Sequence, residues 1–394
     1  MLHISPTFAR SLMVAMNKQH MACNKLSSEF EKKPRLVFFV PSLDGGIGRV
    51  TTLLASGMQA SGENVEVWSA APQSGYANEL ERTLTVKYLG DGSVSSSLFP
   101  LMRELRTRAP VTLISASFHA NCVAIVASIF TCTPTKYAIA DHPSVDAALQ
   151  ELSLLKRILW RILILLLYPL ADKHIAVSKG VAKAMSKYGG INASKIAVIP
   201  NPVISDEIFD LGSIRVQHPF FDLKEPVILY VGRLSYEKDI PNLIHAFKKV
   251  QDEIPSQLII VGDGPDRIML EQLVHQKHLG SKVSFVGHKA NPYPYFGKSD
   301  LFVLSSTREG LPTVLIEALA FGMKVVSTDC PSGPREILND GAYGQLVRPR
   351  DSDALAQSII SSIKSPSPTV PKLLFEQYKV EAAVSAYAKT AFTQ

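Results

Sequence analysis

Two series of alternating buried strands and amphipathic helices follow one another along this 394-residue chain. The first begins with the apolar run at 35–41 (RLVFFVP), and the second begins with another at 227–231 (VILYV), after a break at 200–202. Continuous apolar strands are typical of parallel sheets buried on both faces, and their alternation with helices indicates right-handed β-α-β units. A chain of this length exceeds one ordinary core. The sequence therefore predicts an α/β protein with two Rossmann-like, doubly wound domains.

The same pattern predicts the domain boundaries. Residues 1–34 are polar and charged after Met21, and we expect a poorly ordered N-terminal extension without a secretory signal. Residues 35–205 are predicted to form the first domain, and residues 206–372 the second. Residues 373–394 are predicted to form a C-terminal helix that packs back on the first domain.

Composition excludes several classes of protein. The chain is 46% hydrophobic and 19% charged, which is the balance of a globular protein and opposite to that of a disordered one. The four cysteines are scattered and no histidine cluster has metal-ligand spacing, which argues against a disulfide framework or a zinc site. We therefore expect a protein of a reducing, cytoplasmic compartment. The cysteines are Cys23, Cys122, Cys132 and Cys330.

The positive charge is concentrated in the first half of the chain. Residues 1–205 carry 21 Lys and Arg against 13 Asp and Glu, whereas residues 206–394 carry 20 against 22. The apolar stretch 152–170 lies in this basic half, and Lys156, Arg157 and Arg161 fall within about 140° of its helical circumference. This pattern predicts a helix lying on an anionic membrane surface, with a core helix as the alternative. The sequence lacks the interleaved aromatic and basic residues that line a nucleic-acid-binding groove, so we expect no nucleic-acid partner.

A glycine-rich loop follows the first strand. Its sequence, Asp44-Gly45-Gly46-Ile47-Gly48, precedes a helical pattern, so its backbone amides can approach a phosphate at a helix N-terminus. The glycines do not follow the GxGxxG order of a dinucleotide site. A tight turn without a ligand is the alternative.

Two cations follow the first strand of the second series. Arg233 comes directly after the strand and Lys238 lies five residues on, where open α/β sheets place their ligands. Arginine can bind a diphosphate in a fork and lysine as a point charge. Solvated surface charges are the alternative.

Two glutamates eight residues apart mark the segment 308–318 (REGLPTVLIEA). Pro312 suits the first turn of a helix, and the amides near Thr313 and Val314 can hold a phosphate. Glu317 is predicted one turn into this helix, within reach of ribose hydroxyls, whereas Glu309 lies in the preceding loop. Their placement suits two different hydroxyl-bearing targets.

Together, these residues resemble the donor site of glycosyltransferase family four. The sequences VGDGP at 261–265, VGH at 286–288, VS at 177–178 and IPN at 199–201 match the spacing of that family, and the resemblance covers about 36–360. It implies a GT-B fold, with two domains facing a central cleft, and retention of anomeric configuration. Asp239 departs from it, since many relatives carry glycine there. The segment 330–336 (CPSGPRE) resembles a subset of the family that uses UDP-linked hexoses or N-acetylhexosamines.

The resemblance also implies roles for individual residues. Arg233 and Lys238 would neutralise the leaving diphosphate, Glu309 would hold sugar hydroxyls, and Glu317 would bind ribose. The remaining donor-binding candidates are Gly45, Gly46, Gly310, Leu311, Thr313 and Val314.

Three further candidates follow strands of the first domain. A histidine at the place of His119 lies beside the transferred sugar in the family, where it can stabilise positive charge at the anomeric carbon. A capping or core histidine is the alternative. Asp141 and His142 are candidates for acceptor binding or for the base, with loop capping as the alternative.

The motif Asp351-Ser352-Asp353 spells the DxD of metal-dependent transferases of another fold, but it precedes a helix, where Asp is a favoured N-cap. We therefore predict no metal and no other cofactor.

The sequence thus predicts a retaining glycosyltransferase on the inner face of the cytoplasmic membrane. It would move a hexose or N-acetylhexosamine from a nucleotide diphosphate sugar, with UDP favoured, to a lipid-linked or growing saccharide acceptor. The alternatives are a GT-B relative that is not a transferase, such as a nucleotide-sugar epimerase or a phosphorylase, a non-catalytic partner subunit, and a dehydrogenase. No pyridoxal lysine is evident, which disfavours a phosphorylase. The donor-site charges are kept, which disfavours a non-catalytic subunit, and the dinucleotide glycine order is missing, which disfavours a dehydrogenase.

Overall fold

A computed structural model describes residues 35–109, 111–131, 133, 135–150 and 152–392. The predicted extension at 1–34 lies outside these ranges. The described residues up to Pro202, together with those from Val380 onward, form one compact unit, and Val203–Lys379 form another. We call them the first and the second domain.

The first domain is built on a seven-stranded parallel sheet with the order β3-β2-β1-β4-β5-β6-β7. Its strands are β1 Arg35–Val40, β2 Val65–Ser69, β3 Thr85–Tyr88, β4 Val111–Ala116, β5 Thr135–Asp141, β6 Lys173–Ala176 and β7 Ile196–Val198. Its helices up to Pro202 are α1 Gly45–Ala60, α2 Ala77–Leu80, α3 Leu98–Arg108, α4 Phe118–Thr131, α5 Val145–Gln150, α6 Leu154–Leu167 and α7 Lys179–Gly189.

The second domain has a six-stranded parallel sheet with the order β10-β9-β8-β11-β12-β13. Its strands are β8 Val227–Val231, β9 Gln257–Val261, β10 Val283–Gly287, β11 Leu301–Leu304, β12 Lys324–Thr328 and β13 Gln345–Val347. Its helices are α8 Asp206–Ser213, α9 Ile240–Glu253, α10 Arg267–Gln276, α11 Tyr293–Phe296, α12 Thr313–Ala320, α13 Pro334–Ile337, α14 Ser352–Lys364 and α15 Leu373–Glu376. The predicted fold class, α/β with two Rossmann-like parallel-sheet domains, is confirmed.

The C-terminal segment differs in detail from the single helix predicted at 373–394. The backbone breaks between α15 and α16 (Val380–Phe392), where the carbonyl of Tyr378 accepts hydrogen bonds from the amides of Val203 and Ile204 at 2.8 and 3.0 Å. Helix α16 belongs to the first domain and packs against α1. A Cβ atom at Gly57 would lie 2.6 Å from Val384, so glycine allows these two helices to approach closely.

Candidate functional site

The predicted phosphate loops of the second domain leave the sheet at its topological switch point. β8 lies beside β11, and the chain runs outward from β8 to β10 on one side and from β11 to β13 on the other. Open α/β sheets bind ligands at such points, beyond the carboxyl ends of the strands. Arg233 and Lys238 follow β8, and Glu309 lies in the loop after β11, so the fold gathers these three predicted residues at one edge.

An ion pair joins the two loops. The Lys238 ammonium lies 2.7 Å from Oε1 of Glu309, and the hydroxyl of Ser306 donates to the same oxygen at 2.7 Å. The Ser305 hydroxyl donates to the carbonyl of Lys238 at 2.8 Å. Burial lowers the pKa of Lys238, but the charge and hydrogen bond of Glu309 and the charge of Glu237 outweigh burial, so the pKa is raised overall. Lys238 therefore stays charged at neutral pH, in a fixed position.

Arg233 is an exposed cation at this edge. Among the residues that the structure describes, its guanidinium has no hydrogen-bond or ion-pair partner. Its loop packs closely on the loop after β9. A Cβ atom at Gly262 would lie only 1.9 Å from the carbonyl oxygen of Gly232. Gly262 has a φ of +144°, so glycine is required there for both reasons.

Helix α12 begins at Thr313, directly after Pro312. Gly310 and Leu311 are buried, whereas Thr313 and Val314 are half-buried. A Cβ atom at Gly333, which has a φ of +90°, would lie 2.4 Å from the Pro312 ring, so the 330–334 loop packs against this helix start. The predicted phosphate-holding amides thus lie at an N-terminus that a second loop supports.

Glu317 lies in the second turn of α12, and its side chain is only 1% exposed. The hydroxyl of Tyr293 donates to its Oε1 at 3.0 Å. Glu309 and Glu317 therefore have different partners, as their predicted roles require. Sequence reasoning missed Ser306 and Tyr293. The pair of serines directly after β11 could have indicated Ser306, but no local pattern marks a tyrosine 24 residues from its partner.

The glycines of the first-domain loop differ in their surroundings. Helix α1 begins at Gly45, and Gly45 and Gly46 are exposed, with open space where a Cβ atom would lie. A Cβ atom at Gly48 would lie 2.1 Å from the carbonyl oxygen of Leu43. Gly48 is therefore needed for packing, whereas packing does not explain Gly45 and Gly46.

His119 lies in the first turn of α4. Its ring contacts Trp160 of α6 in a T-shaped arrangement, with 4.5 Å between ring centroids, and also contacts Phe118 at 3.7 Å. Burial lowers the pKa of His119, so the imidazole is neutral at pH 7. The preceding residue, Ser117, has a φ of +84°, and its strained backbone forms the turn between β4 and α4.

Asp141 and His142 lie inside the first domain. The carboxylate of Asp141 accepts hydrogen bonds from the Asn121 amide at 2.8 Å and from the Tyr168 hydroxyl at 3.0 Å, and burial raises its pKa to about 7. His142 Nδ1 lies 3.0 Å from the Asn201 side-chain oxygen, and burial lowers its pKa to about 4. Both side chains thus have partners inside the domain, and their role towards an acceptor stays a prediction.

Three further aspartates have local explanations. The carboxylate of Asp351 accepts from the Ala354 amide at 2.9 Å, which confirms the predicted N-cap of α14. Asp353 pairs with Lys249 at 2.6 Å. Asp239 has a φ of +48°, a left-handed conformation that glycine adopts most readily and Asp tolerates. This conformation explains why glycine suits the position that Asp239 occupies.

Helix α6 exposes an apolar face. The exposed side chains include Leu154, Leu155, Ile158 and Leu159, whereas Ile164 and Leu167 of the same helix are buried. Among its predicted cations, Lys156 is exposed, Arg157 donates to the carbonyls of the last two residues of α5 at 3.0 and 3.1 Å, and Arg161 contacts the ring of Tyr188. Within the described part of the chain, no helix is long and apolar enough to cross a membrane.

Known proteins resemble both domains. Residues 44–207 match the family model described as Glycosyltransferase Family 4, and residues 214–379 match the model described as Glycosyl transferases group 1. A Campylobacter jejuni alpha-1,4-N-acetyl-D-galactosaminyltransferase, named for the substrate GalNAc-alpha-(1->4)-GalNAc-alpha-(1->3)-diNAcBac-PP-undecaprenol, is 28% identical over 82% of this chain and 88% of its own length.

A second Campylobacter jejuni protein, named N-acetylgalactosamine-N,N'-diacetylbacillosaminyl-diphospho-undecaprenol 4-alpha-N-acetylgalactosaminyltransferase, is 31% identical over 58% of either chain. The chain spans about half the length, 49% to 58%, of the curated relatives that it matches at 31% to 32% identity. The crystal structure of Anabaena HepE with UDP and glucose has the same fold, with a TM-score of 0.75 and 20% identity over 92% of this chain and 100% of that one. The two halves of the chain therefore match two glycosyltransferase family models, and the chain has the GT-B fold.

Proposed function

We propose that this enzyme transfers a hexose or an N-acetylhexosamine from a nucleotide diphosphate sugar, with UDP-sugars favoured, to a lipid-linked or growing saccharide acceptor. The reaction would retain the anomeric configuration and need no metal ion. The enzyme would act in the synthesis of cell-surface glycans. Relatives named for undecaprenol-linked saccharides support this class of acceptor.

The Lys238–Glu309 pair beside Arg233 is the observation that carries the proposal. When the bond between the anomeric carbon and the phosphate oxygen breaks, negative charge appears on the β-phosphate. A cation fixed at that phosphate stabilises the transition state more than it stabilises the bound donor. Lys238 is held by Glu309 at 2.7 Å, and Arg233 is exposed at the same strand ends. Two such cations replace the divalent ion that other transferases use.

The α12 start supplies the rest of the proposed donor site. The amides at Thr313 and Val314 would hold a phosphate, since helix N-termini favour anions. Glu317 would bind the ribose hydroxyls, and Glu309 would hold hydroxyls of the transferred sugar. HepE was crystallised with UDP and glucose, which supports the choice of donor class.

The first domain would contribute His119, whose neutral imidazole can stabilise positive charge at the anomeric carbon without adding a cation. We also propose that Gly45 and Gly46 approach the donor, because open space surrounds both.

The exposed face of α6 supports a location on the inner face of the cytoplasmic membrane. Five exposed aliphatic side chains and Lys156 lie on this helix, which is the pattern of a helix that lies in a lipid interface. The apolar side chains would enter the boundary of the acyl chains and the cation would meet anionic headgroups.

A screen of nucleotide sugars tests the proposal without knowledge of the acceptor. The enzyme is incubated with UDP-, GDP- and ADP-linked hexoses and N-acetylhexosamines in EDTA, and release of the nucleoside diphosphate by slow hydrolysis is followed. We expect release from at least one UDP-sugar. Turnover of none, or turnover only after manganese or magnesium is added, would contradict the proposal.

A further inference from the structure

The buried carboxylate of Glu317 accepts a hydrogen bond from an aromatic hydroxyl. Glu317 is 1% exposed and Tyr293 is 5% exposed, and the phenol donates to Oε1 of the carboxylate at 3.0 Å. Tyr293 is the first residue of α11, and Glu317 lies in α12. The hydrogen bond therefore joins two helices between which β11 lies in the sequence. A carboxylate in such an enclosed place depends on the hydrogen bonds that it accepts.

Aromatic packing fixes the position of this phenol. The ring of Tyr293 stacks on Phe321, with 5.8 Å between centroids and 17° between planes, and contacts Phe296 at 6.2 Å. Phe321 directly follows α12, the helix that carries Glu317. The tyrosine is therefore attached to α12 at two points, through its ring and through its hydroxyl, which leaves the carboxylate little freedom to rotate.

An oriented carboxylate can recognise a diol. It has two oxygens and about four acceptor positions, of which the phenol takes one. A ribose presents two neighbouring hydroxyl donors, whereas a 2′-deoxyribose presents one. A site built to accept a hydrogen bond from a hydroxyl discriminates strongly against a ligand that lacks it, provided that its own groups are held in place.

We propose that Tyr293 is a positioning residue that orients Glu317, and that this pair makes the donor site selective for ribonucleoside over 2′-deoxyribonucleoside diphosphates. This inference rests on the proposed function. In this proposal Tyr293 acts through Glu317 rather than through a contact of its own with the transferred sugar or the diphosphate.

The test measures the binding of UDP and 2′-deoxy-UDP to the full chain by calorimetry. We expect the wild-type chain to prefer UDP by at least about tenfold, or about 1.4 kcal/mol. In Tyr293→Phe the ring stays and the hydroxyl is lost, and we expect the preference to fall below about threefold. The matched control is Tyr295→Phe, which removes a hydroxyl from the same helix. Among the described residues that hydroxyl has no hydrogen-bond partner, so the control should keep the wild-type ratio.

The ratio of the two affinities separates a positioning role from a structural role, because a looser fold would weaken the binding of UDP and of 2′-deoxy-UDP alike. Thermal unfolding of both variants monitors the fold. In the Glu317→Ala background, Tyr293→Phe should change the ratio no further. If Tyr293→Phe keeps the wild-type ratio, the inference is wrong while the proposed function stands. If the wild-type chain binds neither nucleotide, both are wrong.

Discussion

Replacement of Lys238 by methionine should affect stability and turnover through separate causes. Lys238→Met keeps most of the side-chain volume and removes the charge. Glu309 would then keep its hydrogen bond from Ser306 but lose its cation, although its side chain is only 10% exposed. The donor diphosphate would lose one of its two proposed cations.

The size of both effects follows from the geometry. Breaking a fully buried ion pair costs about 3–5 kcal/mol, whereas surface pairs contribute about 0–1 kcal/mol. Lys238 and Glu309 are 21% and 10% exposed, so we expect an intermediate loss of about 2 kcal/mol. For a domain of this size, that loss lowers Tm by about 4–8 °C. Loss of a fixed charge at the leaving group should lower turnover by about 10²–10³-fold.

The double variant Lys238→Met/Glu309→Gln separates these causes. Glutamine leaves no buried charge and can still accept from Ser306, so Tm should recover most of the loss while donor hydrolysis stays low. Calorimetric unfolding and the donor-hydrolysis assay measure the two effects. Recovery of turnover together with Tm would mean that Lys238 acts only on folding, and an unchanged single variant would refute the argument altogether.

Three further predictions concern other parts of the chain. The double variant Leu155→Gln/Ile158→Gln should weaken binding to anionic vesicles at least about tenfold in a pelleting assay, because each aliphatic side chain that is buried in lipid contributes about 1.5–3 kcal/mol to binding. The control Ile268→Gln, at a similarly exposed position of the second domain, should not weaken binding. Asp351→Ala should lower the free energy of unfolding by about 0.5–2 kcal/mol and leave donor hydrolysis in EDTA unchanged. Loss of hydrolysis that manganese restores would instead indicate that Asp351 is a metal ligand. The folded-state pKa of Asp141 is raised to about 7, so the folded chain keeps a proton that the unfolded chain loses near pH 4. Stability relative to Asp141→Asn should therefore fall by up to about 1.4 kcal/mol per unit as the pH rises from about 4 to about 7, and a constant difference in denaturant titrations would contradict this.

Periodicity predicted most of the fold because long, buried parallel strands leave continuous apolar runs, as at β1 and β8. It joined α15 and α16 into one helix. The break there results from the pairing of Tyr378 with Val203 and Ile204, a long-range contact without a local signal.

The site was predictable where it depends on strand ends. Arg233, Lys238 and Glu309 share an edge because parallel strands end on the same side of their sheet. The partners of these residues depend instead on packing between distant segments, as in the Lys238–Glu309 pair, which spans 71 positions. The contact of Tyr293 with Glu317 was not predictable for the same reason. Burial of Asp141 and His142 was equally invisible, since a residue at a strand end can face inward or outward.

The anomeric configuration of the released sugar tests the central claim most directly. The UDP-sugar that the enzyme accepts is followed in EDTA by proton NMR, with spectra taken before the free sugar equilibrates between its anomers. The account predicts release of UDP together with a sugar of the donor's own configuration, and a strong loss of both in Arg233→Ala. First appearance of the inverted anomer, or an Arg233→Ala variant as active as the wild-type chain, would contradict it.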